Sequence, residues 1–245
     1  MLNIYRKLYK TLTRHVLRPK LNSHYQASII CSPEGTSGPN DFLVGLAGDA
    51  IKLAWPEHVI APKKNLSDNH YYNVFPGEHY RLLKSIVKLL DPNIVIEIGT
   101  FTGMGSVAMH QGLNRGTLHT FDILPWNSFD SHLDASMFAD GRIQQHLSDL
   151  SNPAEFSKYF DLLNKADLIF LDAPKDGVFE YRFIDLLKKL DPKPNKLMII
   201  DDIRFVNMVN FWRDIQSPKL DITSFGHWSG TGLVDLSNGL VDKAA

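Results

Sequence analysis

Cysteine is almost missing from this sequence: Cys31 is the only one in 245 residues. That excludes an intramolecular disulfide, and with it a zinc site built from several thiolates. A fold without covalent staples suits a reducing compartment, so a cytoplasmic location is expected. Long apolar runs are missing too. No stretch approaches the ~18–20 apolar residues of a membrane-spanning helix. The N-terminus has neither the apolar segment nor the small-residue cleavage site of a signal peptide. Net charge is nearly absent, at −1. No overall field therefore draws the chain to nucleic acid, and no nucleic-acid partner is expected. Internal repeats and low-complexity tracts are also lacking.

What is present is an ordinary globular composition, 44% hydrophobic and 22% charged, in a chain long enough to bury a sizeable core. Residues 1–20 are the local exception. They carry Arg6, Lys7, Lys10, Arg14, Arg18 and Lys20 with no acid, while Leu2, Tyr5, Leu8, Tyr9, Leu12 and Val16 recur at helical spacing. Such a basic amphipathic helix fits peripheral contact with an anionic membrane, or packing on its own domain or on a second subunit of a homodimer. Residues 31–40 are dense in Pro, Gly and Ser and read as a loop. A short helix is expected over Asp41–Trp55, and 56–72 shows little periodicity. Residues 1–75 thus read as an irregular N-terminal extension, either a cap or lid or a dimerisation arm. Residues 76–245 read as the main domain.

From Pro76 the pattern sharpens. A helix runs to Leu90 and stops before Asp91–Pro92. Strands then alternate with helices: Ile94–Ile98, a helix from Thr102 to Leu113, Thr117–Asp122, a polar loop to Ala139, Ile143–Leu147 and a helix over Asn152–Asn164. Strand Asp167–Leu171, helix Gly177–Leu190, strand Leu197–Ile200 and helix Ile203–Ile215 follow. Leu220–Phe225 and Leu233–Leu236 close the chain as two strands without a helix between them. This is an α/β pattern: a mostly parallel seven-stranded sheet with helices on both faces and an antiparallel last strand. In such a sheet a ligand binds beyond the carboxyl ends of the strands.

Those ends are rich in glycine and acid. The first strand runs into Glu97-Ile98-Gly99-Thr100-Phe101-Thr102-Gly103-Met104-Gly105, where glycines let the backbone turn tightly and approach a ligand. Gly103-Met-Gly105-Ser-Val-Ala108 has the letters of a dinucleotide fingerprint, but that motif must follow the strand directly. Here its glycines arrive about four residues late, which disfavours an NAD-dependent oxidoreductase. Asp122 ends the second strand, where an acid can accept ribose hydroxyls. Asp149 follows the third. Asp172-Ala173-Pro174-Lys175 ends the fourth, and Asp201-Asp202 the fifth. Three carboxylates at adjacent strand ends, Asp172, Asp201 and Asp202, can hold a hard divalent cation such as Mg²⁺. Lys175 and His227 are candidates for proton removal.

The segment EIGTFTG at Glu97–Gly103 resembles motif I of class I S-adenosylmethionine-dependent methyltransferases. It is similar in particular to that of the catechol and caffeoyl-CoA O-methyltransferase group, and the resemblance extends over about residues 76–236. It implies a Rossmann-like fold and S-adenosylmethionine as cofactor. Gly99, Thr100 and Gly103 would line the methionine part, with Glu97 supporting the loop, Asp122 on the ribose and Asp149 near the adenine amino group. The cation-dependent members carry Asp-Ala-Asp-Lys and Asp-Asn at the fourth and fifth strand ends. Asp172, Ala173, Lys175 and Asp201 match, whereas Pro174 and Asp202 depart from the pattern. The resemblance implies an O-methyltransferase; a small-molecule or glycoconjugate hydroxyl is the expected acceptor, and Asp172, Lys175 and His227 are the expected catalytic set from their places beside the strand ends. A non-catalytic, cofactor-binding scaffold protein is the other class to set against it.

Overall fold

The computed structural model describes residues 37–64, 66–73, 79–128, 130–226 and 228–243. The basic helix expected over residues 1–20 lies outside the described residues, as does His227.

Seven strands form one sheet: β1 (Ile94–Ile98), β2 (Thr117–Asp122), β3 (Ile143–Leu147), β4 (Leu168–Leu171), β5 (Leu197–Asp201), β6 (Lys219–Asp221) and β7 (Thr231–Asp235), in the order β3-β2-β1-β4-β5-β7-β6. β1 to β5 are parallel. β7 slots between β5 and β6 and runs antiparallel to both. β6 therefore points the same way as β5. The sheet is the expected Rossmann-like one, and only its last strand is reversed.

The strands alternate their side chains between two apolar layers. Val95, Leu118, Leu168, Phe170, Leu197 and Ile199 face one core. It is covered by α1 (Asp41–Ala54), α2 (His79–Leu90) and α3 (Met104–Gly112). Ile96, Ile98, Phe121, Ile169, Leu171, Met198 and Ile200 face the other. That side carries α4 (Pro153–Lys158), α5 (Phe160–Lys165), α6 (Phe179–Leu187) and α7 (Met208–Asp214). α1 begins where Asn40 accepts the Leu43 N–H on its side chain, an N-cap that fixes the helix start.

Several boundaries differ from the sequence pattern. The single helix expected over 152–164 is two, broken at Tyr159, whose φ of −110° and ψ of 10° are non-helical. The last helix begins at Met208 rather than Ile203, because Asp202 and Val206 both have positive φ and cannot sit in a right-handed helix. β6 is only three residues long.

Candidate functional site

The polar strand ends converge on one cavity of about 600 Å³ at the carboxyl edge of the sheet. β1 supplies Ile98 and Gly99, β2 supplies Asp122, and the turns after β3 and β4 supply Asp149, Asp172 and Lys175. Ile123, Leu124, Val178 and Phe179 give it apolar walls. The backbone here is under strain. Phe101, Lys175, Asp202 and Val206 are non-glycine residues with φ of 41°, 62°, 59° and 43°. Such conformations cost free energy and persist where surrounding structure enforces them, often at functional sites.

The glycine turn after β1 is built for close approach. Gly99 has φ of 100°, and a Cβ there would lie 2.1 Å from the Asp172 carbonyl oxygen. The turns after β1 and β4 therefore touch. Thr100 exchanges a 2.7 Å hydrogen bond with Thr120 and accepts another from Gln145 Nε2 at 3.2 Å. Gly103 N–H donates back to Thr100 O at 2.7 Å. Beneath the turn, Glu97 is buried and accepts from the Ser106 hydroxyl. Burial pushes its pKa up to about 8, against hydrogen bonds from Ser106 and Thr120 that favour the charged form.

Asp122 grips the turn from β2. Its carboxylate accepts the Phe101 N–H at 2.9 Å and the Leu124 N–H at 3.0 Å. Asp149 spends Oδ1 on the Ser151 N–H and hydroxyl, closing the turn that leads into α4. Asn152, not Asp149, supplies the N-cap of α4.

Asp172, Asp201 and Asp202 come together as the sequence suggested: each offers a carboxylate oxygen within 4.8 Å of the others. Lys175 reaches into the group, paired with Asp172 and 3.1 Å from Asp202. Burial alone would lower the lysine pKa, but Asp172, Asp202 and Asp201 together raise it, so in this arrangement Lys175 is an ammonium group. Asp201 is buried. Burial, then the charges of Asp172 and Asp202, push its carboxyl well above the usual carboxylate range. Asp202 also accepts from the Ser229 hydroxyl. The donor set is all oxygen, which fits a hard divalent cation.

Several residues at the site gave no sequence signal. Buried Glu180 on α6 accepts the N–H groups of Lys175 at 2.8 Å and Gly177 at 2.9 Å, fixing the strained turn that carries Lys175. In sequence it looks like any acid in a first helical turn. His79, at the start of α2, is buried with Nδ1 3.7 Å from Asp201 Oδ1 and 3.4 Å from Thr231 Oγ1. Gln145 ties Thr100 to the Leu124 carbonyl and the Trp126 N–H. Trp126, in the loop after β2, stacks on Phe138 with ring centroids 5.4 Å apart and does not line the cavity, whereas Ile123 and Leu124, directly after Asp122, do.

Residues 65–220 match the family model described as O-methyltransferase. Solved structures similar to this chain include an S-adenosylhomocysteine-bound methyltransferase from Podospora anserina, at 16% identity over 86% of this chain and 92% of that one, with a TM-score of 0.46. Another is the O-methyltransferase TomG from Streptomyces achromogenes, solved with S-adenosylmethionine. It shows 16% identity over 89% and 96% of the two chains, with a TM-score of 0.42. A methyltransferase from Geobacter sulfurreducens shows 15% identity over 67% and 78%, with a TM-score of 0.44. No curated protein matches the sequence.

Proposed function

The chain belongs to the O-methyltransferase family, and on that premise we propose that it transfers a methyl group from S-adenosylmethionine to a hydroxyl of a small molecule or glycoconjugate, assisted by a divalent cation. The observation that carries this reading is the meeting, on one cavity, of the Gly99 turn with carboxylates from the ends of β2 and β4, the second of them, Asp172, grouped with Asp201 and Asp202 at the end of β5. A cavity of about 600 Å³ suits a ligand of nucleoside size.

We assign Gly99, Thr100 and Gly103 to the methionine part of the donor, with Glu97 supporting the turn from below. Asp122 is assigned to the ribose. A carboxylate has about four lone-pair sites, so the two N–H groups it already holds leave capacity for hydroxyls. Asp149 is assigned to the adenine amino group through the oxygen not used on Ser151.

Asp172, Asp201 and Asp202 would hold the cation. When bound, it would polarise the acceptor hydroxyl and offset the carboxylate charge around Lys175. Asp172 and Lys175 orient the acceptor, so that its oxygen forms the new O–C bond in line as the C–S bond breaks. The sulfonium leaves as a neutral thioether, and the hydroxyl proton goes to His227, or to Lys175 if a bound cation, taking over the carboxylates, would lower the lysine pKa and leave it a neutral amine. Replacing each in turn distinguishes them, since only loss of the acceptor base removes the acidic-limb pH dependence of the rate.

Calorimetry with S-adenosylmethionine, followed by transfer of a labelled methyl group to a panel of phenolic and sugar hydroxyls, tests the proposal. Saturable donor binding is expected, with turnover that EDTA lowers at least about tenfold and Mg²⁺ restores. Absence of donor binding would overturn the reading, and EDTA-insensitive turnover would remove the cation from it.

A further inference from the structure

The glycine turn is held from a side that the family motif does not contain. After β2, residues 131–133 fold back over it. The Thr102 carbonyl accepts from His132 N–H at 2.8 Å and from the Ser131 hydroxyl at 3.2 Å. Leu133 packs directly on Gly103, where a Cβ would lie 2.5 Å from the leucine side chain. The 131–133 segment is in turn gripped by the N-terminal extension. Lys63 Nζ donates to the carbonyls of Ser131 at 2.5 Å and Leu133 at 2.7 Å. Asp68 Oδ1 lies 3.0 Å from Nε2 of His132, which is fully buried. Asn69 donates to the Lys63 carbonyl at 2.7 Å, and Tyr72 sets its ring edge-on to His132 with centroids 5.1 Å apart.

We infer that Lys63, Asp68 and His132 form a latch through which the extension sets the shape of the donor-binding turn. The three are positioning residues: they act on the turn through residues 131–133 and not on the substrate. The inference rests on the reading of that turn as the methyl-donor site. Three features argue that the latch is more than packing. Lysine and histidine lose side-chain freedom and solvation on burial, and here a half-buried Lys63 and a fully buried His132 are both spent on a loop with no secondary structure of its own. Among the described residues, the same bundle also buries Asn69 Oδ1, Tyr72 OH and His132 Nδ1 without a hydrogen-bond partner. Buried polar groups are nearly always satisfied, so such a cluster of exceptions marks a segment not optimised for stability alone. The chain of contacts is also continuous, from extension to 131–133 to Thr102–Gly103, as coupling between two regions requires.

The test uses Asp68→Asn and Lys63→Met in the full chain, with Lys63→Arg as the conservative replacement. Ser131→Ala is a milder change that keeps the test open if either of the first two fails to fold. Hydrogen exchange is followed in the ligand-free protein, and the Kd for S-adenosylhomocysteine is measured by calorimetry alongside kcat and KM. Exchange at residues 100–105 should accelerate while that of β4 stays unchanged. The Kd and the KM for the donor should rise about tenfold with kcat nearly constant, and Lys63→Arg should recover most of the loss. Folded variants with wild-type exchange at 100–105 and wild-type Kd would overturn the latch. If the wild type fails to bind S-adenosylhomocysteine, the donor-site reading falls, and the exchange pattern alone still decides whether the latch exists.

Discussion

A single methyl group added at position 99 would collide with the Asp172 carbonyl oxygen while also forcing an L-residue to φ of 100°. Gly99→Ala is therefore expected to cost about 1–3 kcal/mol of stability and to weaken donor binding by at least about tenfold. Melting temperature and calorimetric titration check the two effects separately. Glu97 makes a pH prediction of the opposite character. Its ordinary pKa is 4.5, and burial raises it to about 8 in the fold. Between those values the unfolded chain gives up a proton that the folded chain keeps, so this residue erodes stability as pH rises from about 4.5 to about 8. Glu97→Gln removes that slope. Urea midpoints at pH 5, 6.5 and 8 should fall less steeply in the variant than in the wild type, and parallel profiles would contradict it. At this scale the sequence was informative where geometry is local. Gly99 and Asp122 stand within a few residues of strand ends that composition marks out. Glu180 and His79 were illegible, because what matters about them is the distant backbone or carboxylate they meet.

Elements were legible in proportion to their burial. β1, β4 and β5 are covered on both faces and read as apolar runs broken only by Glu97 in β1 and by Asp201 at the end of β5. Helix ends were less so. Nothing in Ile203-Arg204-Phe205-Val206 forbids a helix, and the positive φ of Asp202 and Val206 follows from the site next to them rather than from propensity. Lysines at the starts of two strands show another hidden device. Buried Lys219, at the start of β6, donates Nζ to the carbonyls of Trp212 and Ile215 at the end of α7 and lies 5.0 Å from the Trp212 ring centroid. Buried Lys196, just before β5, does the same for Leu163 and Asn164 near the end of α5. Each closes a helix terminus whose last carbonyls would otherwise lack partners. Lys219→Met should thus lower stability by about 1–3 kcal/mol while leaving donor affinity intact, measured by thermal melting and calorimetry on the same preparation.

For the molecule as a whole, the least readable part was the one most tied to the rest. Residues 56–73 carry no periodicity, yet they are pinned along their length. Glu57 pairs with Lys84 and Lys88 on α2, Ile60 exchanges two backbone bonds with the Gln111 side chain of α3, and Lys63 and Asp68 hold the loop after β2. Partners tens of residues away leave no mark in a local window, so a well-docked segment reads as loop. The opposite holds for the reversed strand. β7 starts beside Asp201 and ends beside Leu197, so the connection from β6 crosses the cavity side of the sheet without a helix to pack. In the connection after β6 the exposed side chains of Phe225 and Trp228 can accordingly be exchanged with little penalty to the core, whereas Ser229 is buried and tied to Asp202. The fold offers two rim side chains for replacement, and substituting them is the economical route to a new acceptor preference.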